Sequence, residues 1–239
     1  MLLHPRRVLG MNRLLESGLA GVILPEIVPM QGLPQGSPHA PTGDLWEHVM
    51  RVLDLLGHQP SFALALAALL HDIGKPRTVG RTADRYTFYY HEHVGSRLAD
   101  DIGRRLKLSN AIRERVVWLV EKHQILSDAR HMRTSKLKTL LAHPAIGELL
   151  ELHLADALAS GHSTDHVAYC QYLLKEWSAE ELNPETLISG HDLTRHGLSP
   201  GPEYKRLLDA VREAQLEGTV KTPKQALELV DQLRARAKE

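Results

Sequence analysis

His71 and Asp72 are adjacent, ionisable and placed at the end of an Ala/Leu run; Leu66–Pro76 reads LAALLHDIGKP. A segment this apolar belongs in a core, where an unpaired polar group is costly. The pair therefore needs a partner. A divalent transition metal would satisfy both groups, because neutral imidazole and carboxylate are common ligands. Two neighbouring residues do not complete a coordination sphere, so other helices must contribute. Further groups of the right type are His48, His91, His123 at the end of VVWLVEKH, and Asp156 within LHLADAL. Each stands at a helix end or in an otherwise apolar stretch. With 15 His against two Phe in 239 residues, histidine is where chemistry concentrates.

Each group also has a plainer reading. Asp72 could bond a backbone N–H at a helix end, His71 could be a satisfied core histidine, and His91 could cap a helix. For an isolated His-Asp pair those readings are preferable. The company of His48 and Asp156 favours the metal. His191-Asp192 is an internal comparison: it is the same dipeptide, but it follows Ile188-Ser189-Gly190 rather than an Ala/Leu helix. It reads as a helix start. His153 lies on the face of Asp156 and reads as packing or as a partner of a ligand. His162 and His166 have i, i+4 spacing but read as an exposed helix start.

The elements that must position these groups are nearly all helical, since almost every periodic segment has the helical period. The pattern predicts helices near 5–18, 91–106, 110–123, 134–142, 144–160 and 164–178. Residues 29–43 are rich in Pro and Gly and predict a loop. Asp44-Leu-Trp-Glu47 has capping-box spacing and opens a helix bearing Leu45, Val49, Val52, Leu53 and Leu56. Ser61 caps the Ala/Leu helix, and Gly74 with Pro76 is expected to stop it. Arg85–Tyr90, RYTFYY, predicts a short strand or an extended loop. In the tail, Pro200-Gly201-Pro202 and Thr222-Pro223 each precede a helix.

Lys+Arg and Asp+Glu both number 29, so net charge is zero with His neutral. That argues against broad electrostatic binding to nucleic acid and leaves only local basic patches, such as Arg130, Arg133, Lys136 and Lys138. A single cysteine, Cys170, excludes an intramolecular disulfide. With no visible signal peptide or spanning apolar run, a cytoplasmic protein is expected, without a membrane partner.

The ordered set His48, His71-Asp72, Asp156, with His-Asp-Ile-Gly-Lys-Pro closing an Ala/Leu helix, resembles the HD superfamily of metal-dependent phosphohydrolases. The intervening His91 and His123 resemble the extra ligands of its two-metal members. A resemblance along nearly the whole chain is to the C-terminal part of bacterial tRNA nucleotidyltransferases and poly(A) polymerases. It is carried by Leu24-Pro25-Glu26, Gly43–His48 (GDLWEH), Phe88–Gly95 (FYYHEHVG), Gly190-His191-Asp192-Leu193, Gly197-Leu198, Pro200-Gly201-Pro202 and Ala214–Gly218 (AQLEG). In that family an HD domain follows a nucleotide-transferring head. The head's Gly-Ser and Asp-x-Asp pair has no counterpart here. The chain is expected to be a stand-alone HD protein or a piece of a longer one.

These resemblances imply an all-α HD-domain bundle with a C-terminal helical tail. The implied divisions are an N-terminal helix and connection over 1–43, an HD domain over 44–182 and a tail over 183–239. They imply a first metal on His48, His71, Asp72 and Asp156, with Asp72 bridging to a second on His91 and His123. One or two divalent ions are expected, from Mn, Fe, Co, Ni or Zn ahead of Mg. Asp72 and Lys75 are the expected catalytic residues, and Lys75 and Arg77 the expected contacts to substrate phosphate. The implied substrate is a phosphomonoester or phosphodiester: a nucleotide, a cyclic nucleotide or an RNA end. The alternative is a non-catalytic RNA-binding or scaffolding module that supports a nucleotidyltransferase head in cis or in trans.

Overall fold

The computed structural model describes residues 1–37 and 40–236. In chain order it contains α1 (Arg7–Glu16), α2 (Ala20–Ile23), a 3₁₀ turn (Pro25–Met30), the strands β1 (Pro34–Ser37) and β2 (Ala40–Asp44), α3 (Leu45–Leu55), α4 (Phe62–Leu70) and α5 (Lys75–Thr78). The short strands β3 (Gly80–Arg81) and β4 (Tyr86–Thr87) follow, then α6 (His91–Arg105), α7 (Asn110–Lys122) and a second 3₁₀ stretch (Ile125–His131). The rest is α8 (Thr134–Leu141), α9 (Ile146–Ser160), α10 (Asp165–Glu176), α11 (Ala179–Leu182), α12 (Gly190–Arg195), α13 (Glu203–Leu216) and α14 (Pro223–Arg236). The fold class is all-α. By contact the chain divides into two units, residues 1–127 with 147–168 and residues 128–146 with 169–239.

The first unit is built around α4. Every residue from Ala63 to Leu70 is buried, so this helix is enclosed rather than amphipathic. Helix α7 packs against both α4 and α6, and α3 packs on α4. Asp44 opens α3 with a complete capping box: its carboxylate accepts from the Glu47 N–H at 2.8 Å, and Glu47 reaches back to the Asp44 N–H. The Ser61 hydroxyl accepts from the Leu64 N–H and so fixes the start of α4. Glu148 and Glu151 of α9 bond the Ser61 hydroxyl and the Gly57 N–H, tying α9 to the α3–α4 connection.

Two local expectations are corrected. Residues 29–43 are not simply a loop: β1 and β2 pair antiparallel, with Pro34 opposite Asp44 and Gly36 opposite Pro41. Gly36 and Gly43 both have positive φ, which lets so Pro- and Gly-rich a segment turn sharply. The Ala/Leu helix ends at Leu70, before Gly74 and Pro76. Pro76 instead stands in the first turn of α5, where its missing N–H costs nothing. Gly74 has a separate reason to be glycine: a Cβ built there would fall on the His91 carbonyl and against the Gly95 N–H.

The second unit has its own core of Ile188, Leu193, Leu198, Leu207, Val211, Val220, Ala226 and Val230, from α12, α13, α14 and their connections. The Ser135 N–H at the start of α8 donates to Glu217 at 2.7 Å, and Arg133 pairs with Glu213 at 2.7 Å. His191-Asp192 is the helix start its sequence suggests, since Asp192 completes a capping box with Ser189. Of the basic cluster, Arg133 is thus paired, Arg130 lies over Tyr169 and Lys138 over Trp177. No described helix is long and apolar enough to cross a membrane.

Candidate metal centre

Three imidazoles are anchored in the same way. Nδ1 of His71, His91 and His123 lies 2.8, 2.7 and 2.7 Å from the backbone carbonyl three residues earlier, of Ala68, Phe88 and Val120. A carbonyl only accepts, so each Nδ1 carries a proton, and in the neutral ring each Nε2 keeps its lone pair. Two of these carbonyls belong to the last turns of α4 and α7, where helical acceptors lack partners. The helix ends therefore aim the rings, and all three Nε2 atoms point at Asp72. His48 approaches from α3, with Nε2 3.1 Å from Oδ1 of Asp156 on α9.

Asp72 stands between His48 and His71 on one side and His91 and His123 on the other, and is 1% exposed. Its Oδ2 lies 3.3 Å from His71 Nε2 and 3.7 Å from His48 Nε2. Its Oδ1 lies 3.2 Å from His91 Nε2 and 3.5 Å from His123 Nε2. His48, His71 and Asp156 bring ligand atoms within 4.8 Å of one another, and so do Asp72, His91 and His123. Burial pushes the Asp72 carboxyl up, but Lys75 and the surrounding imidazoles hold it well below the usual carboxylate range. Asp156 is likewise opposed by burial, yet its bond with His48 brings it down to about 2. Burial lowers His123 and favours the neutral ring. Burial also opposes protonation of His71, but the negative charge of Asp72 outweighs it and raises that group.

These groups fit a divalent cation. Oδ1 of Asp72 is buried without a hydrogen-bond partner. His91 and His123 present Nε2 to it and to each other, 3.2 Å apart, and both rings already donate through Nδ1. Three acceptors thus converge with no donor among them. A cation resolves that conflict, and imidazole with carboxylate suits a transition metal. The cluster could hold a metal on either side of Asp72.

A cavity of about 890 Å³ opens onto His48, Asp72, Lys75 and Asp156. Lys75 is buried, with Nζ 2.6 Å from Asp72 Oδ2 and 2.8 Å from Gln35 Oε1. Arg77 is exposed and does not line the cavity, and its charge acts on Glu26. The cavity's arginine is Arg51, one turn after His48 on α3. Sequence reasoning missed it, although the i, i+3 spacing to His48 was available. It also missed Gln35 and Gln124, which line the same cavity from connections between helices; His162, expected at an exposed helix start, lines it too. His153 bonds the carbonyl of Lys122 at 3.3 Å, next to His123, and is a neighbour of the cluster rather than a member. Since that carbonyl accepts, Nε2 carries the proton; burial pushes the His153 pKa down to about 3.

A helical bundle that converges four histidines and two aspartates in this order is the mark of an HD domain, and the HD domain family matches residues 45–161. The chain thus carries an HD domain, and HD domains form a superfamily of metal-dependent phosphohydrolases. Among its relatives, it is 35% identical over 242 residues to the A-adding tRNA nucleotidyltransferase of Deinococcus radiodurans, covering 95% of this chain and 54% of that protein. It is 33% identical over 234 residues to the CC-adding tRNA nucleotidyltransferase of Thermus thermophilus, covering 95% and 53%. To the multifunctional CCA protein of Halorhodospira halophila it is 27% identical over 224 residues, covering 92% and 52%. The similarity is to the C-terminal region of tRNA nucleotidyltransferases. The chain spans about half the length of these relatives.

Proposed function

We propose that the chain hydrolyses phosphate esters of nucleotides, cyclic nucleotides or RNA ends in a metal-dependent reaction. The observation that carries this reading is Asp72, whose two buried oxygens face two separate sets of imidazoles. His48, His71, Asp156 and Asp72 Oδ2 would hold one divalent ion, and His91, His123 and Asp72 Oδ1 a second. Mn, Fe, Co, Ni or Zn suits this donor set better than Mg. Such ions, when bound, lower the pKa of water to supply hydroxide near neutral pH and offset phosphoryl charge.

The chain's own residues do the rest. The three Nδ1 bonds hold the rings in the tautomer that presents Nε2 inward. Lys75 is fixed by Asp72 and Gln35 at the wall of the cavity, a point charge within reach of a phosphoryl oxygen. Arg51 supplies a second cation with a planar donor fork for an incoming phosphate.

A second reading has one observation in its favour. The chain is similar along nearly all its length to part of proteins named as tRNA nucleotidyltransferases. It would then serve as an RNA-binding or scaffolding module beside a nucleotidyltransferase head, in cis or in trans. A pure scaffold does not need a convergent set of metal ligands, which favours hydrolysis. The test is turnover of 2′,3′-cyclic nucleotides, nucleoside monophosphates and a generic phosphodiester in Mn, Co, Ni and Mg, by the parent and by Asp72→Ala. Metal-dependent turnover that is lost in a folded variant supports the hydrolase. No turnover in any metal by folded protein sinks it and leaves the module.

A further inference from the structure

Beside the centre, the segment Arg85–Tyr90 supplies no candidate ligand, although the Phe88 carbonyl orients His91, and it is built at a structural cost. Tyr90 has φ +61°, in the left-handed region that a bulky side chain rarely adopts. Its ring is not buried in compensation: Tyr90 is 72% exposed and Tyr89 is 66% exposed. Both line a second cavity of about 530 Å³, together with Arg85, Lys75, His91 and Gln124. Lys75 and Gln124 also line the cavity at the metal centre, so the two spaces share a wall. His91 belongs to the cluster itself. The Tyr90 ring lies nearly parallel to that of His93, 6.4 Å between centroids and 16° between planes. Phe88 is held under the ammonium of Lys75 at 5.3 Å.

Exposed aromatic faces beside a cation, one residue from a phosphate-binding centre, match the two halves of a nucleotide. Stacking on an aromatic ring accepts any base, and an adjacent cation tracks the backbone. We propose that Tyr89 and Tyr90 form a nucleobase platform, placing a base over their rings while its phosphate reaches Lys75 and the cluster. The strain at Tyr90 then has a purpose: it turns the ring outward immediately before His91 turns inward. The proposal rests on the nucleotide reading for its choice of ligand.

The test is calorimetric titration of the metal-loaded full chain with two phosphonate analogues, one of adenosine monophosphate and one of ribose 5-phosphate. Their P–C bond resists hydrolysis, and they differ only in the base. The parent is expected to bind the base-bearing analogue at least about tenfold more tightly. That ratio should fall towards one in Tyr89→Leu and in Tyr90→Asn, since Asn tolerates the left-handed backbone. It should persist in Tyr89→Phe and Tyr90→Phe, which keep the flat face. Equal affinity of the parent for both analogues overturns the platform. So does a ratio that survives in the Leu and Asn variants. Base-dependent binding without hydrolysis in any metal would sink the hydrolase and leave the platform standing. Hydrolysis with a ratio of one would sink the platform alone.

Discussion

Asp72 is the residue on which the proposed centre turns, because its two oxygens face different sets of imidazoles. Asp72→Asn preserves volume but removes the charge and puts an amide donor on one side only. Changes around a metal ligand typically cost about 10–100-fold, so loss of this proposed ligand should reduce the proposed metal-dependent turnover by more than about 100-fold. Elemental analysis of the purified variant should find less bound metal; parental metal content would contradict the bridging role. Gly74→Ala tests packing behind the same site. Its Cβ meets backbone, which cannot swing aside as a side chain can. A destabilisation of about 1–3 kcal/mol is expected by urea unfolding, together with a displaced His91 and reduced activity. Cys170 is buried, and burial pushes its thiol up to about 11. A thiol reagent at pH 8 should therefore leave the native protein unmodified and react only after unfolding.

At the scale of elements, helix ends carry most of the proposed ligands, so the caps matter for the proposed chemistry. Asp44 lies one turn before His48 on α3 and also accepts from the Gly32 N–H at 2.8 Å. Asp44→Ala should cost about 0.5–2 kcal/mol of stability, measured by urea unfolding, and should weaken metal binding through a frayed α3. In α12, the bonds from Ser189 hold the Asp192 carboxyl down to about 2. A carboxyl depressed by folding contributes stability that is complete above its unfolded pKa and is lost as pH falls through the folded one. Protection of the Leu193 amide, corrected for intrinsic exchange, should accordingly decline from about pH 4 towards pH 2. In Asp192→Asn that dependence should be gone; an unchanged profile would mean that the cap does not hold α12.

For the molecule as a whole, a metal that binds only the folded chain must stabilise it. At free metal about 100-fold above its Kd the gain is about 2.7 kcal/mol, so a chelator should lower the thermal midpoint of the parent. It should not lower that of Asp72→Asn, which separates bound metal from other effects of the chelator. The chain is also tied together far from the centre. Arg105 near the end of α6 grips Glu26 with two bonds of 2.6 and 2.8 Å. This fixes the N-terminal segment in the same unit that holds His91, although the pair is partly exposed and contributes only about 0–1 kcal/mol.

The sequence by itself pointed to the candidate ligands and to the elements that carry them. Helix period, the Asp44 and Ser61 caps, and the burial of an Ala/Leu run are local properties, and they place His71, Asp72 and His123 at helix ends without knowledge of the rest. The meaning of His191-Asp192 was also local, because its Ser189 cap is three residues away. What lies between distant residues was decided only in the tertiary structure. Arg77 follows the motif yet faces outward, while Arg51 enters the cavity because α3 presents that face. Gln35 reaches Lys75 because the Pro- and Gly-rich segment folds into a hairpin, which positive φ at Gly36 and Gly43 permits and no side-chain period announces. The position of Asp72 between His48 and His71 on one side and His91 and His123 on the other depends on α3, α4, α6, α7 and α9 converging, and such convergence is set by packing among helices far apart in the chain.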